Sequence, residues 1–245
     1  MIRKLLSQLL CLCLCFALLI SAAYAADRDV SFEEGLAARL KALSLFRGVS
    51  DTDFDLERAP TRLEALVMLI RTLGQEEAAL NGDWKHPFAD VPEWADRYVG
   101  YAYEHDLARG ISDTEFGTGD ADAAVYLTFI LRALGYSDAD NLDFSWKNPY
   151  PLAEEVGILP KRVDIMDFRR ADSVTVSYAA LLARLKGSSR TLAEKLIGAG
   201  VFTLQQFEQN YDESLLQLST KQREYMYVRA AEDVDRLIPE AIVQE

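Results

Sequence analysis

Residues 61–74 read TRLEALVMLIRTLG and decide the fold of this 245-residue chain. Thr61 stands three residues before Glu64, which is the spacing of a capping box, so we predict that a helix begins there. The apolar residues that follow recur with helical periodicity, at Leu63, Leu66, Val67, Ile70 and Leu73. Gly74 then occupies the position where helices commonly end. The segment therefore predicts an amphipathic helix of about three to four turns.

Arg62 is the unusual residue of this helix, because it occupies the first turn. The helix dipole disfavours cations at an N-terminus, where Asp or Glu is more common. A guanidinium beside the free N–H groups of a helix end offers converging donors for a carboxylate or another planar anion. The residues alone leave a second interpretation open, in which Arg62 is solvated or pairs with an acidic residue of a neighbouring loop.

Two further copies of this pattern follow along the chain. Residues 109–111 (RGI) match 47–49 (RGV), and residues 127–135 match 66–74 at a spacing of about 61 residues. A fainter third copy is predicted to end its helix at Gly187. A single helix pair cannot bury its apolar face, so three related pairs predict one pseudo-threefold bundle. Alternating apolar runs typical of strands are rare, and we expect an all-α fold.

The repeats also predict the domain boundaries. We assign residues 27–80 to unit 1, residues 86–138 to unit 2 and residues 144–187 to unit 3. Residues 188–245 form a helical C-terminal extension, with its last helix expected over residues 225–238. The apolar positions of the extension suit helices that pack on the bundle or bind a protein partner.

The first helix of each unit is predicted from the same signals. In unit 1, apolar periodicity indicates a helix over residues 31–46. In unit 2, Asp90 and Glu93 have capping-box spacing, so we expect a helix from there to about Leu107.

The N-terminal segment has the pattern of a secretory signal peptide. Residues 1–25 contain Arg3 and Lys4, then an apolar run, and small residues at Ala23 and Ala25. We expect cleavage after Ala25. The apolar run is too short to span a membrane comfortably, so we expect no membrane association after cleavage.

The composition excludes several classes of partner. The formal net charge is −13, and an acidic surface argues against nucleic acid and anionic membranes, since both bind basic surfaces. The three cysteines, Cys11, Cys13 and Cys15, lie in the signal segment and are expected to leave with it. No disulfide framework or thiolate metal site is therefore expected.

Other candidate sites lack essential residues. Asp51, Asp53 and Asp55 resemble the start of an EF-hand loop, but Leu56 and Arg62 occupy positions that need Gly and Glu. The two histidines have no second ligand at metal spacing. No serine lies in a nucleophile elbow, and no carboxylate pair stands out as acid and base. We therefore expect no enzyme activity, no catalytic residue, no metal site and no cofactor.

Three phrases of the sequence resemble the S-layer homology (SLH) family. They are FADVPEWA at 88–95, RGISDTEF at 109–116 and TRLEA at 61–65, and the resemblance extends over about residues 31–187. In that family three consecutive motifs form a pseudo-threefold bundle with grooves between the units. The grooves hold secondary cell-wall polysaccharide, often through a pyruvate ketal on an amino sugar. The resemblance implies a secreted, non-covalent cell-wall anchor.

The family's Thr-Arg-Ala-Glu motif maps onto residues 61–64, and its arginine contacts the carbohydrate anion. The resemblance therefore implies that Arg62 binds glycan, in agreement with the anion site inferred above. Motif and loop positions complete the candidate glycan-binding residues, namely Thr61, Glu64, Gly48, Gly110, Asp90 and Trp94. For Trp94, a core anchor is a more typical role than a sugar platform.

The other two units depart from the motif. Unit 2 has DAAV at residues 122–125, or the motif one residue later, and unit 3 has TVSY at residues 175–178, and neither contains the arginine. Arg169 and Arg170 precede the third helix, where they could replace it from the loop or form a solvated pair. Two functions stay open: a cell-surface module that binds cell-wall polysaccharide, and a degenerate scaffold that mediates protein contacts without glycan binding.

Overall fold

The computed structural model describes residues 28–216. Within that range the regular structure consists of nine α-helices and three short 3₁₀ helices, with no strand. The α-helices are α1 Ser31–Ala42, α2 Arg62–Thr72, α3 Glu76–Asn81, α4 Asp96–Glu104, α5 Ala123–Ala133, α6 Tyr150–Glu155, α7 Arg170–Ala180, α8 Leu192–Gly198 and α9 Leu204–Asn210. The 3₁₀ helices are Glu93–Ala95, Ala139–Asn141 and Glu213–Leu216. The predicted all-α fold is confirmed, while the predicted signal peptide and the helix over 225–238 lie outside the described residues.

The capping box of α2 forms as the sequence predicts. The Glu64 amide donates to Thr61 Oγ1 at 3.2 Å, and the Thr61 amide donates to Glu64 Oε2 at 2.8 Å. Gly74 ends this unit with a φ of +63°, a left-handed conformation that glycine adopts without steric cost. The start of α2 is therefore determined by local chemistry, within three residues of Thr61.

Three inner helices form the centre of the bundle. Helices α2, α5 and α7 each pack against the other two, and each of them also packs against the first helix of another unit. Those first helices are α4 on α2, α6 on α5 and α1 on α7. Each unit therefore places its first helix on the inner helix of the preceding unit, and α1 closes the ring on α7. This cyclic exchange is the pseudo-threefold arrangement expected from the repeats.

The core between α5 and α7 contains a buried polar pair. Tyr126 is fully buried, and its hydroxyl lies 2.6 Å from Ser177 Oγ. Burial raises the pKa of Tyr126 to about 12, so the phenol stays protonated. The pair satisfies both hydroxyls where no water reaches, which fixes the register of α5 against α7.

Two first helices differ from the predicted ones. Helix α1 ends at Ala42, before the predicted end near residue 46. In unit 2 the predicted capping box is absent, because the Asp90 carboxylate accepts from the amides of Phe116 and Gly117, at 2.7 and 2.8 Å. A short 3₁₀ turn leads instead into α4, which ends at Glu104. The partners of Asp90 lie 26 and 27 residues away, so no local spacing could indicate them.

The predicted register of the third inner helix is wrong. Helix α7 begins at Arg170, and the Arg169 amide donates to Asp172 Oδ2 at 2.9 Å. The motif position of unit 3 is therefore RRAD at residues 169–172, and not TVSY at 175–178. The helix ends at Ala180, well before Gly187. Every residue of α7 is buried, so the apolar periodicity that usually sets a register is missing from its sequence.

The described part of the C-terminal extension packs on the bundle. Helix α9 lies against α1, and Tyr211 stacks on Tyr178 of α7 with ring centroids 4.5 Å apart. Phe207 stacks in turn on Tyr211 at 4.8 Å. Between residues 28 and 216, no helix is long and apolar enough to cross a bilayer.

Candidate functional site

A groove of about 530 Å³ opens beside the N-terminus of α2, and we call it the Arg62 groove. Residues of α2, of α5 and of the loops at 109–111, at 138 and at 146–147 surround it. The lining residues are Arg62, Arg109, Gly110, Ile111, Asp122, Ala124, Val125, Thr128, Phe129, Arg132, Asp138, Trp146 and Lys147. The groove therefore lies between the first and second copies of the sequence repeat.

Arg62 is held in this groove without a carboxylate partner. Its Nη2 donates to the Arg109 carbonyl at 2.8 Å, and its guanidinium carbon lies 5.1 and 5.2 Å from the ring centroids of Phe116 and Phe129. Its Nε is buried and has no hydrogen-bond partner among the residues that the structure describes. Within residues 28–216 Arg62 forms no ion pair, and Asp55 of the acidic loop pairs with Arg58 at 2.6 Å. The surroundings fix the guanidinium while leaving its charge uncompensated.

Burial makes this uncompensated charge costly. Burial, together with the nearby Arg132, lowers the pKa of Arg62 to about 10, while Asp122 acts in the opposite direction. Arg62 is still protonated at neutral pH. A bound anion would offset both the burial and the repulsion from Arg132.

Positive charge dominates the Arg62 groove in an otherwise acidic chain. Four basic and two acidic residues line it, although the formal net charge of the chain is −13. Arg132 is neutralised by a buried pair with Asp138, in which Nη2 and Oδ2 lie 2.6 Å apart. Arg109 lies 3.9 Å from its carboxylate partner Asp106, a longer separation than in the Arg132 pair. The groove therefore attracts anions locally.

Trp146 supplies an exposed aromatic face at the rim of the groove. Its side chain is 56% exposed, and Lys147 Nζ lies 5.4 Å from the ring centroid. Ile111, 66% exposed, adds an apolar surface to the same lining. Sequence reasoning missed Trp146 because it lies in a loop outside the three repeated phrases. An aromatic face beside a cationic groove suits the apolar face of a sugar ring.

The predicted loop glycines close tight loops at equivalent places. A Cβ on Gly110 would overlap the Glu115 carbonyl, and one on Gly48 would overlap the Asp53 carbonyl. Gly110 lines the Arg62 groove, whereas Gly48 lies in a separate surface depression with Arg47. The structure therefore brings Gly110 to Arg62 and leaves Gly48 apart.

The remaining predicted residues do not line the groove. Thr61 and Glu64 form the capping box, and Asp90 holds the loop at Phe116 as described above. Trp94 is 57% exposed on a 3₁₀ turn, so the expectation of a core anchor is wrong. In the arrangement observed, Thr61, Glu64 and Asp90 hold the backbone that presents Arg62 and Gly110.

Glu64 has a strongly perturbed ionisation. Hydrogen bonds from Arg58, at 2.8 and 2.5 Å, and from the Thr61 amide lower the pKa of Glu64 from 4.5 to about 2, against the opposing effect of burial. A carboxyl whose pKa is depressed by folding stabilises the fold above its unfolded pKa and loses that contribution as the pH falls.

We therefore predict a pH-dependent effect of Glu64→Gln. At pH 7 the free energy of unfolding of the variant should be about 1–2 kcal/mol lower than that of wild type. The difference should shrink as the pH falls from 4.5 to about 2, because these are the pKa values of Glu64 in the unfolded and folded states. Urea unfolding at several pH values measures it. Glu194→Gln is the matched control, because Glu194 makes the same bond to its cap residue Thr191, at 2.7 Å, with no arginine bond seen in residues 28–216. A difference that stays constant from pH 7 to pH 2 would contradict the assignment.

The equivalent positions of the other units present no free arginine to a groove. In unit 2 the motif arginine is replaced by Ala123, and Asp122 caps α5 by accepting from the Val125 amide at 2.9 Å. In unit 3, Arg170 occupies the arginine position, but it is 5% exposed, and its Nη2 and Nε lie 3.3 and 3.4 Å from the Phe54 carbonyl. The expectation of a solvated arginine pair is wrong, since the unit 1 loop covers Arg170.

Comparison with known proteins points to the bacterial cell surface. No protein-family model matches the chain. Over 107 residues it is 36% identical to a cell surface protein of Thermoanaerobacter kivui, a match that covers 42% of this chain and 14% of the relative. Over 106 residues it is 30% identical to a surface layer protein of Brevibacillus choshinensis and 28% identical to the middle cell wall protein of Brevibacillus brevis. Those matches cover 42% of this chain and 10% of each relative, so the chain is similar to a small part of these much longer curated proteins.

Proposed function

We propose that this chain is an exported, non-catalytic cell-wall binding module of the SLH type, and that the Arg62 groove binds an anionic cell-wall polysaccharide. One observation carries the proposal: Arg62 is fixed in the groove with no ion pair among the described residues and with a buried, unpartnered Nε. A half-buried cation without a counter-ion is unfavourable in a free protein, and an anionic ligand removes that cost. The planar fork of the guanidinium suits a carboxylate, such as a pyruvate ketal, better than it suits a neutral sugar.

Two further observations support a glycan as the source of the anion. Trp146 offers an exposed ring at the groove rim, and aromatic faces with polar edges are suited to sugar rings. The relatives are named as cell surface, surface layer and cell wall proteins, which supports the cell wall as the location of this chain. The local excess of positive charge favours association with an acidic polymer.

Co-sedimentation tests the proposal. Residues 26–245 would be incubated with purified sacculi of the source organism, prepared either with their secondary polymer or after its chemical removal. We expect the protein to pellet with the first preparation and to stay in the supernatant with the second. Equal pelleting with both preparations, or none with either, would contradict glycan binding and favour the alternative of a scaffold for protein contacts.

A further inference from the structure

Thr128 has a buried hydroxyl for which the described chain provides no partner. The residue lies in the middle of α5, is 5% exposed, and belongs to the lining of the Arg62 groove. Its Oγ1 forms no hydrogen bond. Buried hydroxyls normally form a hydrogen bond, and a buried hydroxyl without one is unfavourable. An unpartnered hydroxyl in the lining of a groove indicates that a bound ligand supplies its hydrogen-bond partner.

The other inner helices show what a threonine hydroxyl usually does here. Thr175 occupies the same place in α7, six residues after the N-cap, and its Oγ1 donates to the Ala171 carbonyl at 3.1 Å. In α2, Thr72 donates likewise to the Met68 carbonyl at 2.8 Å. A threonine in a helix interior can form this hydrogen bond to the carbonyl four residues earlier. Thr128 does not form it within the described chain.

The Arg62 groove thus contains two buried polar atoms that have no partner within residues 28–216, Arg62 Nε and Thr128 Oγ1. They come from two helices that pack together, and both residues line the groove. An arginine Nε can only donate, while a hydroxyl can donate or accept. An acceptor-only group such as a carboxylate is therefore a suitable partner for either atom.

We propose that Thr128 is a ligand-contacting residue of the Arg62 groove, whose hydroxyl donates to the anionic ligand from the α5 side. This inference rests on the proposed function and deepens it, because it assigns a second contact on the α5 side of the groove. The groove then selects a group that accepts hydrogen bonds from two directions. A neutral hydroxyl satisfies the two donors less well than a carboxylate, since charge strengthens each bond.

The test compares three variants of the full mature chain with wild type. Thr128→Val keeps the shape of the side chain and removes the hydroxyl, Thr128→Ser keeps the hydroxyl, and Thr175→Val is the matched control in α7. Dissociation constants come from co-sedimentation with polymer-containing sacculi, and thermal melting reports folding. We expect Thr128→Val to bind about tenfold more weakly, as a bond to a charged acceptor implies. Thr128→Ser and Thr175→Val should bind within about twofold of wild type by the same scale.

The outcomes distinguish the role of Thr128 from the proposal that the Arg62 groove binds glycan. Wild type that pellets only with polymer, together with Thr128→Val of wild-type affinity, would overturn the role of Thr128 and leave glycan binding intact. If sedimentation of the wild type does not depend on the polymer, both the role of Thr128 and glycan binding are contradicted. Thr128→Val should melt no lower than wild type, because it removes an unsatisfied buried group. If it is unstable, Thr128→Ala measured beside Thr128→Ser decides the question, since only the second retains the hydroxyl.

Discussion

Arg62→Gln is expected to abolish polymer-dependent binding to sacculi. Two charge-assisted hydrogen bonds to a carboxylate are worth about 3 kcal/mol together, which corresponds to roughly a hundredfold in affinity. The change in stability should be small. Glutamine gives up the bond to the Arg109 carbonyl and the contacts with two aromatic rings, but it also removes a buried, uncompensated charge. These effects oppose each other, so we expect unfolding free energy to change by no more than about 1 kcal/mol.

Arg62→Lys is the finer probe of the same contact. Lysine keeps the positive charge but lacks the planar fork needed for a two-point bond to a carboxylate. We expect binding between that of wild type and Arg62→Gln, at an almost unchanged melting temperature. Arg190→Gln is the control for charge alone, since Arg190 is exposed and does not line the groove. If both Arg62 variants bind as tightly as wild type, Arg62 does not contact the ligand, and the scaffold function is favoured.

Asp172→Ala is expected to lower the free energy of unfolding by about 3–5 kcal/mol, more than any of the other substitutions. Asp172 is fully buried and accepts two bonds from Arg28, both of 2.8 Å. It also accepts from the amides of Asp164 and Arg169, at 3.0 and 2.9 Å. Removal of the carboxylate leaves an arginine and two amides without their acceptor. It also releases residue 28 from α7, at the place where α1 closes the ring on the third unit.

Glu64→Ala is the matched comparison for Asp172→Ala. Glu64 occupies the same motif position in α2 and also binds an arginine through two bonds, but its side chain is 27% exposed. Exposed pairs contribute much less than buried ones, so we expect a loss of about 1–2 kcal/mol, capping included. Urea unfolding of both variants measures the difference. Equal losses would mean that burial of Asp172 does not make its pair more important than that of Glu64.

The helix boundaries that could be predicted are those set by neighbours in sequence. The start of α2 depends on Thr61 and Glu64, three residues apart, and its end on Gly74 in a left-handed conformation. The same logic failed at Asp90, whose spacing to Glu93 imitates a capping box while its carboxylate binds amides 26 and 27 residues away. It failed again for α7, because a helix buried on every side has no polar face to reveal its register.

The sequence led to the hypothesis that Arg62 binds an anion, but it did not indicate which other residues line the groove. Trp146 lies in a loop outside the repeated phrases, and Thr128 is an ordinary helical threonine by sequence. Gly48 and Gly110 look equivalent along the chain, and the structure places only Gly110 among the residues that line the Arg62 groove. Proximity of this kind depends on which units pack together, and no short-range pattern contains it.

By itself, the sequence determined the helical class, the three copies of one helix pair and the chemistry of the α2 N-terminus. These follow from interactions within a few residues, such as capping, periodicity and the freedom of glycine. Which motif arginine lacks an ion pair within residues 28–216 depends on the packing of distant segments. Arg62 meets a carbonyl 47 residues away and retains an open groove, whereas Arg170 meets one 116 residues away under a covering loop. Two arginines at the same motif position thus differ because burial and pairing are set by the segments that fold over them.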